Sequence, residues 1–422
     1  MSGAAAASSG SEQLTFREVL RITVMRRIWY AQIISLVGDF LALFAVISVA
    51  TFRMHATPAQ VSGVQIAYML PLAFLGPLSG VFVDRWRLKP TLVASDLIRA
   101  GFVILLVLSS ALWQMYLVLI ALSAVSSFFM PAQSVTIRAH VPPNGLLAAN
   151  ALMQMAMMGV RIIGPLAAGV LVAALGADIC YVLDGISFVA SACLIGTVAI
   201  VRPVQPLRAA DSAARSKVHA LLHDMSQGLR FILGHAALLF VVMAMAAGLF
   251  TIGCFGPLIA VYVRESLHET AAVFGVVSAM VGVGMLIGTQ LMRRIATRMS
   301  HDRMVLGGLA GIGVSLLVLG GIPHVVATGA ATFLMGFAFS GVIVPAQTLL
   351  QRETPHALMG RISSTVMSVV IFAQLLGLLV SGVASQLLSV RAVFFLSALL
   401  SASLVVGGRF LLQPNNAPPP PV

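Results

Sequence analysis

Apolar residues run through this chain in long blocks broken by short polar stretches. The blocks show neither the two-residue alternation of strands nor the single apolar stripe of a soluble helix. Crossing a bilayer takes about 20 mostly apolar residues. Twelve blocks are that long, at roughly 28–52, 62–83, 91–111, 115–135, 148–175, 179–200, 236–262, 271–292, 304–322, 324–349, 362–388 and 391–412. Only Trp113-Gln114 divides the block pair within 91–135, and only Pro323-His324 the pair within 304–349. In hydrocarbon every backbone N–H and C=O is satisfied inside its own segment, so the blocks are predicted to be helices. The alternation and turn spacing of a transmembrane barrel are absent. The expected fold class is an all-α membrane protein with twelve transmembrane helices.

Charge supports this and orients it. Only 9% of the 422 residues are charged and 59% are hydrophobic, against about 25% charged in an ordinary soluble domain. Loops on the cytoplasmic side collect Lys and Arg. With the N-terminus inside, only Arg53, Arg264 and Arg391 of the 25 basic residues fall outside, Arg99 and Arg161 lie within spans, and the remaining 20 are cytoplasmic. Both termini are therefore expected in the cytoplasm of a bacterial inner-membrane protein. The net charge of +12 is scattered over the inner loops, which matches attraction to anionic membrane lipid and not a nucleic-acid footprint. Cys180, Cys193 and Cys254 sit in apolar spans without metal or disulfide spacing and read as small core residues. MSGAAAASSGSEQ lacks the order of a cleavable signal, and residues 1–13 and the tail PNNAPPPPV are expected to be disordered. No P-loop, GxSxG or HExxH occurs. No enzyme activity, cofactor or metal is expected, so transport would draw on an ion gradient or a partner.

The chain also repeats itself. Segment 131–153, PAQSVTIRAHVPPNGLLAANALM, is echoed at 345–367 by PAQTLLQRETPHALMGRISSTVM, an offset of 214 residues. Both place PAQ near the cytoplasmic end of a span, an arginine seven residues after the proline (Arg138, Arg352), then another proline and a new helix. Gly76 and Gly80 before one charged turn are echoed by Gly284 and Gly288 before Arg293-Arg294. Parallel six-helix repeats facing a midplane site are a transporter architecture. The expected organisation is a cytoplasmic segment 1–27, a six-helix bundle 28–200, a cytoplasmic loop 201–235, a second six-helix bundle 236–412 and a Pro-rich tail 413–422.

These halves, the long central loop and the stretch GVFVDRWRLK (80–89) together resemble the major facilitator superfamily. Gly80, Asp84, Arg85 and Lys89 match its loop signature, while Arg87 and Leu88 stand where Gly and Arg are usual. SLVGDFLALFA, VPPNGLLAANAL, RIIGPLAAGVL and TPHALMGRISS are similar to the branch that includes bacterial enterobactin and macrolide exporters. The resemblance covers about residues 15–412. It implies that the loop between spans two and three lies where the halves meet on the cytoplasmic face. Asp84 would sit at the N-terminus of span eleven, by Ser363 and Ser364, where free N–H groups and the helix dipole favour an anion. Arg85, Arg87 and Lys89 would pair with acids or lipid phosphate. Asp96 and Arg99, one turn apart, would extend this cytoplasmic gate. Gly159, Gly164, Pro165 and Gly169 resemble the family's antiporter packing motif in span five. Plain helix packing would explain them equally.

Asp39 is the other residue that stands out. It lies about eleven residues into span one, where an ionisable group costs on the order of 2.5–3.5 kcal/mol on insertion scales. Gln32, Ser35 and Asp39 share one helical face, which the resemblance turns towards a cavity lined by spans one, four, seven and ten. A partly dry cavity suits a carboxyl that loads and releases protons. Arg161, at similar depth in span five, offers an ion pair instead. Both readings stand, and substrate displacing Arg161 from Asp39 would join them. Ser123, Ser127 and Met130 on span four, with Phe333, Ser340 and Gln347 on span ten, are the expected cavity face. Beyond Asp39 and Arg161 no dense set of charges is expected in mid-membrane, which favours an amphipathic drug-like molecule or a siderophore. The expected function is export of such a molecule by a monomer, through alternating access and proton antiport. The arginine that many proton-coupled relatives carry in span four has no match here. The alternatives are an importer of a nutrient or metal-chelate, and a lysolipid flippase or non-transporting receptor on the same scaffold.

Overall fold

The structure is a computed structural model that describes residues 13–83, 85–200, 226–355 and 358–411. Asp84, the central loop as far as residue 225, and both termini beyond those limits lie outside the described residues. So do the disorder expected at the termini and most of the segment 201–235.

Helix accounts for the architecture. A short α1 (Phe16–Arg21) leads into α2 (Thr23–Ser48), α3 (Pro58–Val83), α4 (Leu88–Leu105), α5 (Leu112–His140), α6 (Leu146–Leu175) and α7 (Asp178–Gly196). A helical stretch at 226–233, α8, precedes the second set. That set comprises α9 (Ala236–Glu265), α10 (Ala271–Ile295), α11 (His301–Gly321), α12 (Val325–Glu353), α13 (Met359–Leu387) and α14 (Val390–Leu411). Eleven of the described helices are apolar enough to span a bilayer. The twelfth, α4, falls short because Lys89, Asp96 and Arg99 occupy it. Twelve spans are thus present, and the charge in α4 has a structural reason given below.

Contacts divide the chain into two units, Met1–Val49 with Ala67–Gln205, and Ala50–Ile66 with Pro206–Val422. In the first unit α2 packs on α6 and α7, and α4 on α5 and α7. In the second, α9 packs on α13 and α14, and α11 on α12 and α14. The same four pairings recur six spans apart, as a parallel repeat requires. The repeated PAQ fits too, with Pro131 and Pro345 inside helices of 29 residues each.

Segment Ala50–Ile66 belongs to the second unit by its bonds. Arg264 donates to the carbonyl oxygens of Thr51 at 2.5 Å and Ala56 at 3.1 Å.

Close approach holds the second unit together. With no hydrophobic drive between helices in lipid, small residues let backbones touch. A Cβ on Gly284 would strike the Phe333 carbonyl, and one on Gly336 the Val281 carbonyl, so α10 and α12 lock through reciprocal glycines. Gly253 and Gly377 do the same for α9 and α13, against the Gln374 and Phe250 carbonyls. Gly336→Val is expected to lower the unfolding free energy in detergent by about 1–3 kcal/mol, the usual cost of overpacking. Gly329→Ala, which meets nothing within 4 Å, should leave the thermal midpoint unchanged.

Candidate functional site

Four helices of the first unit, α2, α4, α5 and α7, meet around one guanidinium. Asp96 and Arg99 sit three residues apart on α4, so their side chains share a face, and Arg99 Nη2 donates to Asp96 Oδ1. Arg99 Nη1 lies 3.9 Å from Asp39 Oδ2 on α2. The guanidinium is clamped between the rings of Phe129, 4.5 Å away on α5, and Phe188, 4.3 Å away on α7. A cation over an aromatic face gains most when desolvated, and Arg99 is only 3% exposed.

Serines of α7 complete the shell. Ser191 donates to Asp96 Oδ2 at 2.6 Å. One and two turns towards the helix start are Ser187 and Asp184, with Ser187 Oγ donating to Asp184 Oδ1 at 3.2 Å. Asp184 is 1% exposed and lies within electrostatic reach of Asp39, Asp96 and Arg99. Gly38 explains how it comes so close. A side chain there would run into Asp184 Oδ1 and Ser187 Oγ, so glycine lets α2 settle on α7 beside Asp39.

The result is one guanidinium facing two carboxyls, with a third, Asp184, within electrostatic reach, in a membrane-spanning bundle. The carboxyls differ in access. Asp96 and Asp184 are closed off, while the Asp39 side chain keeps 22% exposure. Arg99 Nε has no hydrogen-bond partner among the described residues, and the 3.9 Å gap to Asp39 is longer than a hydrogen bond. Arg99 is therefore firmly held by Asp96 and loosely by Asp39. Chemically, such a set can exchange a proton at its open edge and rebalance internally.

Several sequence expectations change here. The partner of Asp39 is Arg99. Arg161 is exposed on α6 and makes no ion pair among the described residues. Asp96 and Arg99 point into this cluster and form no described bond with Arg85 or Lys89. Mid-membrane charge is dense after all, with Asp184 the residue that sequence reasoning missed. Its signal was present: a lone acid six residues into the block 179–200, where charge is functional by default.

The expected cavity serines are buried in this structure. Ser127 donates to the Ser123 carbonyl at 2.9 Å, and both are 1% exposed. Ser340, 2% exposed, donates to the Met285 carbonyl at 2.9 Å. Ser35 is buried, and Gln32 accepts from Gln133 Nε2 at 2.5 Å across α2 and α5. Met130 and Gln347 are exposed and Phe333 is half-buried. In the antiporter-type stretch, Gly164 touches Phe40 of α2 while Gly159 and also Gly80 face open space. Gly169 is buried and Pro165 half-buried in α6.

Two six-span units built on the same pairings, with ionisable groups buried in one, define a transporter of the major facilitator type. The chain belongs to the family described as transmembrane secretion effector, whose sequence profile matches residues 17–418. It is 28% identical over 400 residues to the MFS-type transporter YfiS of Bacillus subtilis, covering 92% of this chain and 95% of that one. Macrolide efflux protein A of Streptococcus pyogenes is 23% identical, with 90% and 93% covered. Multidrug resistance protein MdtG of Dickeya zeae is 25% identical, with 89% of each chain covered. Among solved structures, the nucleoside transporter NupG superposes with a TM-score of 0.70 at 13% identity, covering 92% of this chain and 99% of that one. Such low identity speaks for the fold alone. The family carries small molecules across membranes and is not enzymatic.

Removing one partner of a buried ion pair typically costs about 3–5 kcal/mol. Arg99→Leu is therefore expected to lower folded yield and thermal stability by that order, measured by fluorescence-detected size exclusion. Arg99→Leu with Asp96→Asn should recover part of the loss, because the stranded carboxylate is gone.

Proposed function

We propose that the protein exports a small amphipathic organic molecule, drug-like or a siderophore, by alternating access coupled to inward proton movement. In this reading it sits in a bacterial inner membrane, as a monomer with both termini cytoplasmic. One observation carries the coupling: Arg99 faces Asp96 and Asp39, with Asp184 in electrostatic reach, and of these three carboxyls only Asp39 is open. A proton arriving at Asp39 cancels its hold on Arg99, which then rests on Asp96. Losing that proton restores the pull across α2 and α4. The set thus has two arrangements that differ by one proton, which is what a coupled carrier needs.

Relatives named for macrolide efflux and multidrug resistance support the direction and the substrate class. The loop after α3, with Gly80, Asp84, Arg85 and Lys89, is retained as the cytoplasmic latch, and Asp96 and Arg99 are assigned to coupling. Arg161, exposed in mid-helix, should face water or protein, because bare hydrocarbon is costly for a charge.

A proton moving inward gains about 2.3 kcal/mol per 100 mV, enough to concentrate a neutral substrate roughly fiftyfold. Asp39→Asn is expected to abolish uphill efflux from proteoliposomes under an imposed pH gradient while downhill exchange persists. Concentrative efflux by the Asp39→Asn protein would remove Asp39 from the coupling role. Loss of exchange as well, in a well-folded protein, would point to substrate binding.

A further inference from the structure

One groove of the first unit shares Arg85 with the proposed latch and has a lining of its own beyond it. It has a volume of about 680 Å³ and is framed by the turn after α3, the start of α4 and the adjoining part of α5. Arg85 and Arg87 stand at its mouth, with Thr91 beside them, and Ile98 and Phe128 form its wall with Trp86. No acidic side chain is among its described lining residues, and neither arginine makes an ion pair with a described residue.

Three aromatic rings give the groove a firm side. Trp86 stacks on Phe128 with ring centroids 5.4 Å apart, and Phe82 sits 6.0 and 6.3 Å from the two. Trp86 is 45% and Phe82 50% exposed, so the slab keeps about half of its surface open. The position is the end of α3 and the start of α4, where the chain leaves and re-enters the apolar layer. Trp at that level sits with its apolar body in lipid and its polar edge in the headgroup region. Arginine binds phosphate oxygens in a bidentate fork.

We propose that this groove is a binding site for an anionic phospholipid. The headgroup phosphate lies between Arg85 and Arg87, and the upper acyl chain lies along Trp86, Phe128 and Ile98. Charge complementarity selects the lipid over a drug-like cation, and the aromatic slab selects it over a soluble anion. A general lipid annulus would take zwitterionic and anionic headgroups alike. This site discriminates between them, and does so whatever the chain transports.

The test is native mass spectrometry of the full-length protein with equimolar phosphatidylglycerol and phosphatidylcholine. Two arginines at a membrane surface should favour retention of the anionic lipid by roughly thirtyfold. Arg85→Gln with Arg87→Gln should bring the two lipids to near parity, while Arg293→Gln with Arg294→Gln should not. Phosphatidylglycerol, but not inorganic phosphate, should raise the thermal midpoint of the unaltered protein, a readout free of any folding defect in the variants. Equal retention of both lipids by the unaltered protein would overturn the proposal. So would loss of selectivity in the Arg293/Arg294 control, which would make it an effect of net charge. Displacement of the lipid by inorganic phosphate would reduce the groove to a simple anion site.

Discussion

A guanidinium inside a membrane domain has to be neutralised where it stands, and the first unit is arranged around that requirement at Arg99. Charge at bilayer depth is expensive, so intramembrane ionisable groups turn to each other or to a water-filled cavity. Arg99 satisfies the requirement with Asp96 on its own helix, Asp39 on α2, the nearby Asp184 and two phenyl faces. Each partner fixes something. Asp39 ties α2 to α4, Phe188 and Ser191 bring α7, Phe129 brings α5, and Gly38 is small because Asp184 needs the space. The low hydropathy of α4 follows from the same arrangement: the helix hides its charges in protein.

The second unit repeats the pairings by different means. Its spans carry no Asp, Glu, Lys or Arg between their ends, and backbone contact through Gly253, Gly284, Gly336 and Gly377 takes the place of charge. One fold is therefore stabilised in one half by electrostatics and in the other by steric fit. Steric packing of this kind is indifferent to proton concentration, whereas a shared guanidinium is not. On the proposed function, proton coupling would therefore belong to the first half.

Spans and repeat were legible because hydropathy blocks and the PAQ echo are properties of sequence order. Asp39 was legible because depth along a span is also sequence order. Its partner was not, because pairing depends on rotation about the helix axis. The buried stripe of α6 runs through Leu152, Ala156, Val160, Gly164 and Ala168 at every fourth residue. Arg161 falls one position beside that stripe, so equal depth did not bring it to Asp39. The buried serines illustrate a related point. Hydroxyls in a span look like cavity polarity, but Ser127 bonds back to the carbonyl four residues earlier, a local route open to any helical serine. Asp184 needed only the rule already applied to Asp39.

Helix α4 joins the two chemistries of the first unit. Ser95 and Ile98 line the groove between the arginines and the aromatic slab, while Asp96 and Arg99, each one residue further on, enter the buried cluster. Successive positions on a helix point about 100° apart, so the two sets occupy neighbouring faces of one short rod. Side chains in a close-packed interior have little room to yield separately, and α4 touches α5 and α7 along its length. A rotation of α4 that lengthens the Arg99–Asp39 contact would therefore also reshape the groove at Ile98. In the proposed function, coupling and lipid binding would thus act through one helix, the one whose charge first marked it as unusual.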